Sequence, residues 1–300
     1  MKIKEIHSSD LTASCMKYVQ LRFEGKLRPA ATGALFRGLV VGEVLRYLHE
    51  EYLHSGVGEP ALYTPLVNRA ISSVRKTLTD EGRIPTDAVE SNILETIEDM
   101  CRFAEKYYQK FKERFSRSTL LGCEVPVRWK YAKRMPEFAS HIDLLIRDTN
   151  GELVFIDWKL RESAPTRSYL SRNMQFGCYY GCCLEGKFLL SDGLSSEWKS
   201  FGEDARGVWL HVNHVIPFGR KTVCEDDYGV EREFAKGDDR PVRMAWREVQ
   251  YSATAIEEVR SQIKQRVKMM QKDLFPSNPD PVGCNLCEAE SFCPRFDTII

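Results

Sequence analysis

Residues 140–160 read SHIDLLIRDTNGELVFIDWKL. Two apolar segments, Ile142–Ile146 and Leu153–Ile156, are rich in aliphatic and β-branched residues. They flank Asp148-Thr149-Asn150-Gly151, a turn signal, and together predict a β-hairpin. Each segment carries or adjoins an acid, Asp143 in the first and Asp157 after the second. An unpaired carboxylate buried in a strand is costly, so both acids require partners.

The loop decides whether the acids meet. If Asn150-Gly151 is a two-residue turn, Thr149 pairs with Glu152, Asp143 faces Trp158, and Asp157 turns to the other side of the sheet. If Thr149-Asn150-Gly151 is a three-residue loop with Gly151 left-handed in a G1 bulge, Asp148 pairs with Glu152 and Asp143 lies opposite Asp157. Opposed side chains share a face at about 4.5–5.5 Å between Cβ atoms, and Lys159, two residues beyond Asp157, shares it too. Two carboxylates and a lysine on one face suit phosphodiester hydrolysis. The acids can hold Mg²⁺ or Mn²⁺ through oxygen. The bound ion polarises the phosphate and acidifies a water, and the lysine orients that water or stabilises developing charge. The same side chains can equally form an ion-pair cluster on a solvated face, and D-x-K recurs by chance, so spacing alone leaves both readings open.

A chain of 300 residues can bury one large core or two small ones. Its 43 basic and 43 acidic residues cancel, so any nucleic-acid surface must be a local patch. The start, MKIKEIHSSD, lacks the apolar core of a signal peptide, and no run is long enough to span a membrane. A cytoplasmic location without a membrane partner is the expectation. Of ten cysteines, Cys101, Cys123, Cys178, Cys182, Cys183 and Cys224 are scattered and read as small core residues of a reducing cell. Cys284, Cys287 and Cys293 form a C-x₂-C-x₅-C array before Pro294 and read as metal ligands. A fourth ligand is needed, for zinc or for a cubane iron–sulfur cluster. Cys15, in the first predicted helix, would supply it and tie the chain ends together.

Helices are predicted over 8–23, 30–52, 62–82, 86–117, 168–185 and 253–274, and strands over 120–129, 208–218 and 243–251, with a charged loop or ribbon over 221–240. Gly38 and Gly42 share one helical face and admit close approach of another backbone. Glu43 and His49 are within reach of a site, although a solvated Glu and a satisfied surface His are the plainer readings. Glu124 lies in the first long strand. Gln175 and Tyr179 share a helical face; the plainer reading is an exposed Gln and a core Tyr. Residues 208–218 are expected at a sheet edge, with neither His211 nor His214 a ligand. The last helix carries a basic stripe, Arg260, Lys264, Arg266, Lys268 and Lys272, which suits either a solvated face or a phosphate-tracking surface.

In their order and spacing these residues resemble the PD-(D/E)XK nucleases of the RecB-like branch. Within it they are most similar to the iron–sulfur exonucleases that include CRISPR-adaptation nucleases and the AddB-type recombination nuclease domain. The resemblance covers nearly the whole chain. Asp143 in HIDLLI matches the metal-binding Asp, Asp157-Trp158-Lys159 the D/E-x-K strand, Gln175 and Tyr179 the Q-x₃-Y helix, and Cys15 with Cys284, Cys287 and Cys293 the one-plus-three pattern of a [4Fe–4S] cluster. The resemblance implies an α/β fold: a restriction-endonuclease-like mixed β-sheet core flanked by helices. It assigns residues 1–117 to a helical N-terminal lobe giving one cluster cysteine, 118–252 to the nuclease core, and 253–300 to a C-terminal helix and cysteine cluster, in one integrated unit. It implies an exonuclease acting on single-stranded DNA ends, with recombination or CRISPR-adaptation proteins as partners. Asp143, Asp157 and the Trp158 backbone carbonyl would hold Mg²⁺ or Mn²⁺, helped by Glu43 or Glu124. Lys159 would orient the attacking water, and Gln175 and Tyr179 would position strand or site. Relatives often carry a metal-binding histidine four residues after a glycine of the first lobe. Here Gly38 is that glycine and Gly42 stands in the histidine's place. The departure supports an alternative, a catalytically impaired iron–sulfur protein that binds DNA ends or a partner.

Overall fold

The computed structural model describes residues 3–12, 19–20, 33–83, 86, 97–160, 167–170, 173–191, 195–213, 222–225, 231–234 and 243–272. In chain order these form β1 (Glu5–Ile6), α1 (Ser8–Thr12), α2 (Gly33–Leu48) running into a π-turn (His49–Leu53), α3 (Thr64–Asp80), α4 (Ile97–Phe115), β2 (Thr119–Trp129), β3 (Glu137–Arg147), β4 (Leu153–Leu160), α5 (Arg167–Leu170) and α6 (Met174–Glu185). Then follow β5 (Lys187–Ser191), β6 (Ser196–Lys199), β7 (Ala205–Asn213), β8 (Thr222–Glu225), β9 (Glu231–Phe234), β10 (Arg243–Val249) and α7 (Ala253–Gln271).

The sheet runs β10-β7-β4-β3-β2-β5-β6, and β1 joins it alongside β3. It is mixed: β4 pairs in parallel with β7 and antiparallel with β3. β8 and β9 form a separate ribbon, as the charged segment predicts. β4 is an interior strand covered on both faces, which is why LVFI reads as a continuous apolar run rather than an alternating one.

Helices cover both faces. On one, α2, α3 and α4 pack against Leu144, Ile146, Val154, Ile156 and Trp158. α4 contributes Phe103, Tyr107, Phe111 and Phe115, every fourth residue and hence one stripe. On the other face α1, α6 and α7 cover Leu145, Leu153 and Phe155. α6 lies close because Gly177 and Gly181 have no side chain: a Cβ at Gly181 would sit 2.5 Å from the Trp129 ring, and one at Gly177 would run into Val259.

Four sequence readings change. The helix predicted over 168–185 is broken: Asn173 caps α6 by accepting the Phe176 N–H at 3.1 Å, and the Tyr251 hydroxyl sits 2.7 and 2.8 Å from the Leu170 and Asn173 carbonyls. β7 is interior, between β4 and β10, because the later strand covers its outer edge. β1, β5 and β6 are additional strands, two to five residues long and too short for a periodic signal. Arg260 of the basic stripe is a structural clip. It reaches the Tyr131 carbonyl at 2.7 Å and Glu185 at 2.8 Å, and lies over the Trp129 ring.

The four candidate cluster cysteines, Cys15, Cys284, Cys287 and Cys293, lie outside the described residues. Among the described residues no helix is long and apolar enough to cross a membrane.

Candidate active site

The hairpin takes the three-residue loop. The Asp148 N–H donates to the Glu152 carbonyl at 3.0 Å, the Gly151 N–H to the Asp148 carbonyl at 3.1 Å, and Gly151 has φ +80°. A left-handed φ at this position favours glycine. The Asp148 carboxylate fastens the loop by accepting the N–H groups of Asn150 at 2.8 Å and Glu152 at 3.0 Å. From there the register runs Arg147–Leu153 to Leu144–Ile156. The next row holds Asp143 and Asp157.

At that row the sheet forks. β3 departs to pair with β1 at Glu137 and Phe138, while β4 continues along β7 to Leu160. The β3–β4 ladder ends at the Leu144–Ile156 pair. There the Asp143 carboxylate accepts the Trp158 N–H at 2.6 Å. A side chain thus takes the donor that the ladder leaves, as a buried amide requires.

Asp157 is fully buried, and Lys159 grips it with Nζ at 2.8 Å from Oδ1 and 2.7 Å from Oδ2. Gln175 Nε2 reaches the same Oδ1 at 3.4 Å and donates to Tyr179 Oη at 2.7 Å; that hydroxyl donates to the His141 carbonyl at 2.7 Å. Gln175 is half-buried and part of this network, not an exposed side chain. The i,i+4 spacing on α6 is what lets it reach both Tyr179 and Asp157.

Glu124 stands on β2 between the Cys123–Leu144 and Val125–Ile142 pairs, in the row of Asp143. Its φ is +48°, a left-handed conformation within a strand. Cys123 packs with the α2–α4 cluster and Val125 with the opposite one, so the strand switches faces at Glu124. Such a conformation costs an L-residue about 1–3 kcal/mol.

A cleft of about 610 Å³ is walled by Gly38, Gly42 and Glu43 of α2, by Ser73 and Thr77 of α3, and by Glu124, Asp143, Trp158 and Lys159 of the sheet, with the buried Asp157 behind that wall. A Cβ on Gly42 would meet nothing within 4 Å. Glu43 is not solvated: Arg46 reaches it at 2.7 and 2.9 Å and the Ser73 hydroxyl at 2.9 Å. The Arg46 guanidinium holds its pKa down at about 2. His49 is not on the surface either; it is fully buried, stacked on Trp158 with ring centroids 5.9 Å apart. No sequence signal marks that contact, whereas Glu43–Arg46–Glu50 is legible as i,i+3 and i,i+4 helix pairs.

The electrostatics favour a cation. Burial first, then Asp157, pushes the Asp143 pKa well above its ordinary value, against the pull of Lys159. Glu124 opens onto the cleft, yet the surrounding walls, then Glu43 and Asp157, raise its pKa as well. Carboxylates that raise one another are relieved by a divalent ion. Among the described residues no three His, Cys, Asp or Glu side chains converge into a ready-made metal cage. Mg²⁺ does not require one, since it keeps several waters and takes one or two carboxylates plus substrate phosphate. The all-oxygen set of Asp143 and Asp157 fits an ion of that kind.

Comparison with known proteins agrees at the level of the family. The profile of the PD-(D/E)XK nuclease superfamily matches residues 14–294. No curated protein matches the chain significantly. The solved structure "Crystal structure of SSO0001" aligns with TM-score 0.42 and 13% identity over 98% of this chain and 88% of its own.

Proposed function

The chain belongs to the PD-(D/E)XK nuclease superfamily, and on that premise we propose that it is a Mg²⁺- or Mn²⁺-dependent deoxyribonuclease of the RecB-like iron–sulfur branch. It would act as an exonuclease on single-stranded DNA ends in recombination, repair, CRISPR adaptation or phage DNA processing. The observation that supports this best is the fork: the register brings Asp143 and Asp157 to one row, and Lys159 and Gln175 converge on Asp157 beside an open cleft.

Asp143, Asp157 and the Trp158 backbone carbonyl would hold the metal, with Glu124 as the nearest further carboxylate. When bound, the ion polarises the scissile phosphate and acidifies a water. Lys159 then stands ready to turn from Asp157 toward the attacking water or the developing phosphate charge. Gln175 fixes one Asp157 oxygen, and Tyr179 fixes Gln175 by bonding at once to it and to the β3 backbone. Glu43 is the other candidate ligand; Arg46 and Ser73 hold its oxygens, as Lys159 and Gln175 hold those of Asp157. With charges balanced overall, DNA binding would be modest and salt-sensitive.

Cys15, Cys284, Cys287 and Cys293 would hold a structural [4Fe–4S] cluster, with zinc the other occupant their spacing admits. The 1–117, 118–252 and 253–300 segments would then act as one unit. Brown protein from anaerobic purification, losing its iron in Cys15→Ala, supports the cluster; colourless zinc-loaded protein refutes it.

Gly42 favours a second reading, an impaired enzyme that retains DNA-end binding, because the wall of the cleft lacks a side chain there. Cleavage of labelled single strands in Mg²⁺ and in Mn²⁺, by wild type, Asp143→Ala and Lys159→Ala, separates the two. Metal-dependent cleavage by wild type alone supports the nuclease. DNA binding without cleavage under either metal refutes it.

A further inference from the structure

The segment carrying Asp157 and Lys159 lies just past the end of the β3–β4 ladder. Past Ile156, where the β3 ladder ends, the Trp158 N–H bonds to the Asp143 carboxylate, while β7 holds the other edge. Its back rests on His49, whose imidazole lies nearly parallel to the Trp158 indole, at 14°.

His49 is itself held in one orientation. The π-turn that ends α2 brings positions five apart onto adjacent turns, so His49 and His54 stack with ring centroids at 5.3 Å and bond Nδ1 to Nε2 at 3.1 Å. The other His54 nitrogen, Nδ1, is 3.2 Å from the Ser118 carbonyl, and His49 Nε2 is 2.6 Å from Tyr107 Oη. A carbonyl only accepts, so His54 Nδ1 carries the proton. Burial, then the Lys112 ammonium, lower the His54 pKa against the pull of the Ser118 carbonyl, and a neutral ring with its proton on Nδ1 has Nε2 as acceptor. His49 therefore donates from Nδ1 and accepts at Nε2 from the Tyr107 hydroxyl. Every bond in the chain has one direction, and the His49 ring plane is fixed by both its nitrogens. Phe111 closes the cage edge-on at 4.6 Å.

We propose that His49 is a positioning residue that clamps the Asp157–Lys159 segment through Trp158, with Tyr107 and His54 setting the plane of the clamp. This rests on the nuclease reading for its purpose, though not for its detection. The π-turn is accounted for in the same way, since a regular α-helical turn would not stack residues five apart.

Amide hydrogen exchange of the full chain, without added metal, decides it, comparing wild type with His49→Ala and His49→Phe. Phenylalanine keeps a flat ring against the indole and loses both hydrogen bonds; alanine loses the ring as well. In His49→Ala the amides of residues 157–160 should exchange at least about tenfold faster, with residues 153–156 unchanged and His49→Phe staying closer to wild type. Nitrogen NMR of wild type should show both histidines neutral and protonated at Nδ1. In cleavage assays His49→Ala should lose kcat at an unchanged KM. Equal exchange in wild type and His49→Ala overturns the proposal, as does an acceleration spread along all of β4. If His49→Ala does not fold, His49→Phe decides alone: exchange over 157–160 as fast as that of residues at the frayed helix ends overturns the clamp. A wild type that cleaves nothing but shows the expected exchange pattern refutes the nuclease reading and leaves the clamp standing.

Discussion

Asp143→Asn should make the metal-free protein more stable. The amide keeps the shape of the carboxylate, and its oxygen can still accept the Trp158 N–H that Asp143 takes at 2.6 Å. What it removes is charge beside the fully buried Asp157. Two unit charges across one strand row, about 5 Å apart, repel by about 3 kcal/mol at an effective dielectric of about 20. Lys159 returns part of that, leaving a gain of about 1–2 kcal/mol at neutral pH for the variant. The sign with pH follows from the raised Asp143 pKa. Between the ordinary Asp value of 3.8 and the raised folded value, the folded chain keeps a proton that the unfolded chain has released. The Asp143 contribution to stability is therefore greatest below that window and falls as pH rises through it. Asp143→Asn removes this contribution, so its profile is flatter; Glu124, also raised, leaves some slope. Urea unfolding in chelator from pH 4 to pH 8 measures both. Added Mg²⁺ should stabilise wild type and not the variant. An Asp143→Asn protein that is less stable than wild type at pH 8 without metal, or that has the same pH slope, would refute the reasoning.

Three further outcomes are expected. Lys159→Ala strips a buried carboxylate of its bidentate ion partner and should cost about 2–4 kcal/mol in urea unfolding, along with the loss of cleavage in the metal assay. Gly42→His places a ligand in open space over the cleft, and the metal concentration for half-maximal binding should fall about tenfold, roughly 1.4 kcal/mol, by calorimetry; an unchanged value speaks against a metal facing α2. Gly181→Ala drives a methyl into the Trp129 ring and should lower stability by about 1–3 kcal/mol by thermal melt, with metal affinity unchanged in the folded protein.

Much of the site was legible in residues 140–160 because local chemistry fixes it. Asp148-Thr149-Asn150-Gly151 sets the loop, the loop sets the register, and the register places Asp143 in the row of Asp157. Gln175 and Tyr179 were legible as an i,i+4 pair, although the bond to Asp157 was not. What the sequence hid depends on contacts far along the chain. Glu43 looked solvated because Ser73, its partner from α3, is thirty residues away. His49 looked superficial because the π-turn that turns it inward has no composition signature, and Trp158 lies 109 positions further on. The fork and the left-handed Glu124 arise where β2 and β3 change faces, which alternation of side chains along one strand does not reveal. The interior place of β7 is hidden because β10, its outer neighbour, is separated from it in the chain by the β8–β9 ribbon.

The central claim is that Asp143 and Asp157 hold one divalent ion between them, with Lys159 beside it rather than bound to it. Titration of Mn²⁺ into the metal-free chain, followed by electron paramagnetic resonance, tests this without requiring a substrate. Wild type should take up an ion at this site, Asp143→Ala and Asp157→Ala should each lose it, and Lys159→Ala should keep it. Equal Mn²⁺ binding by wild type and both aspartate variants would contradict the account.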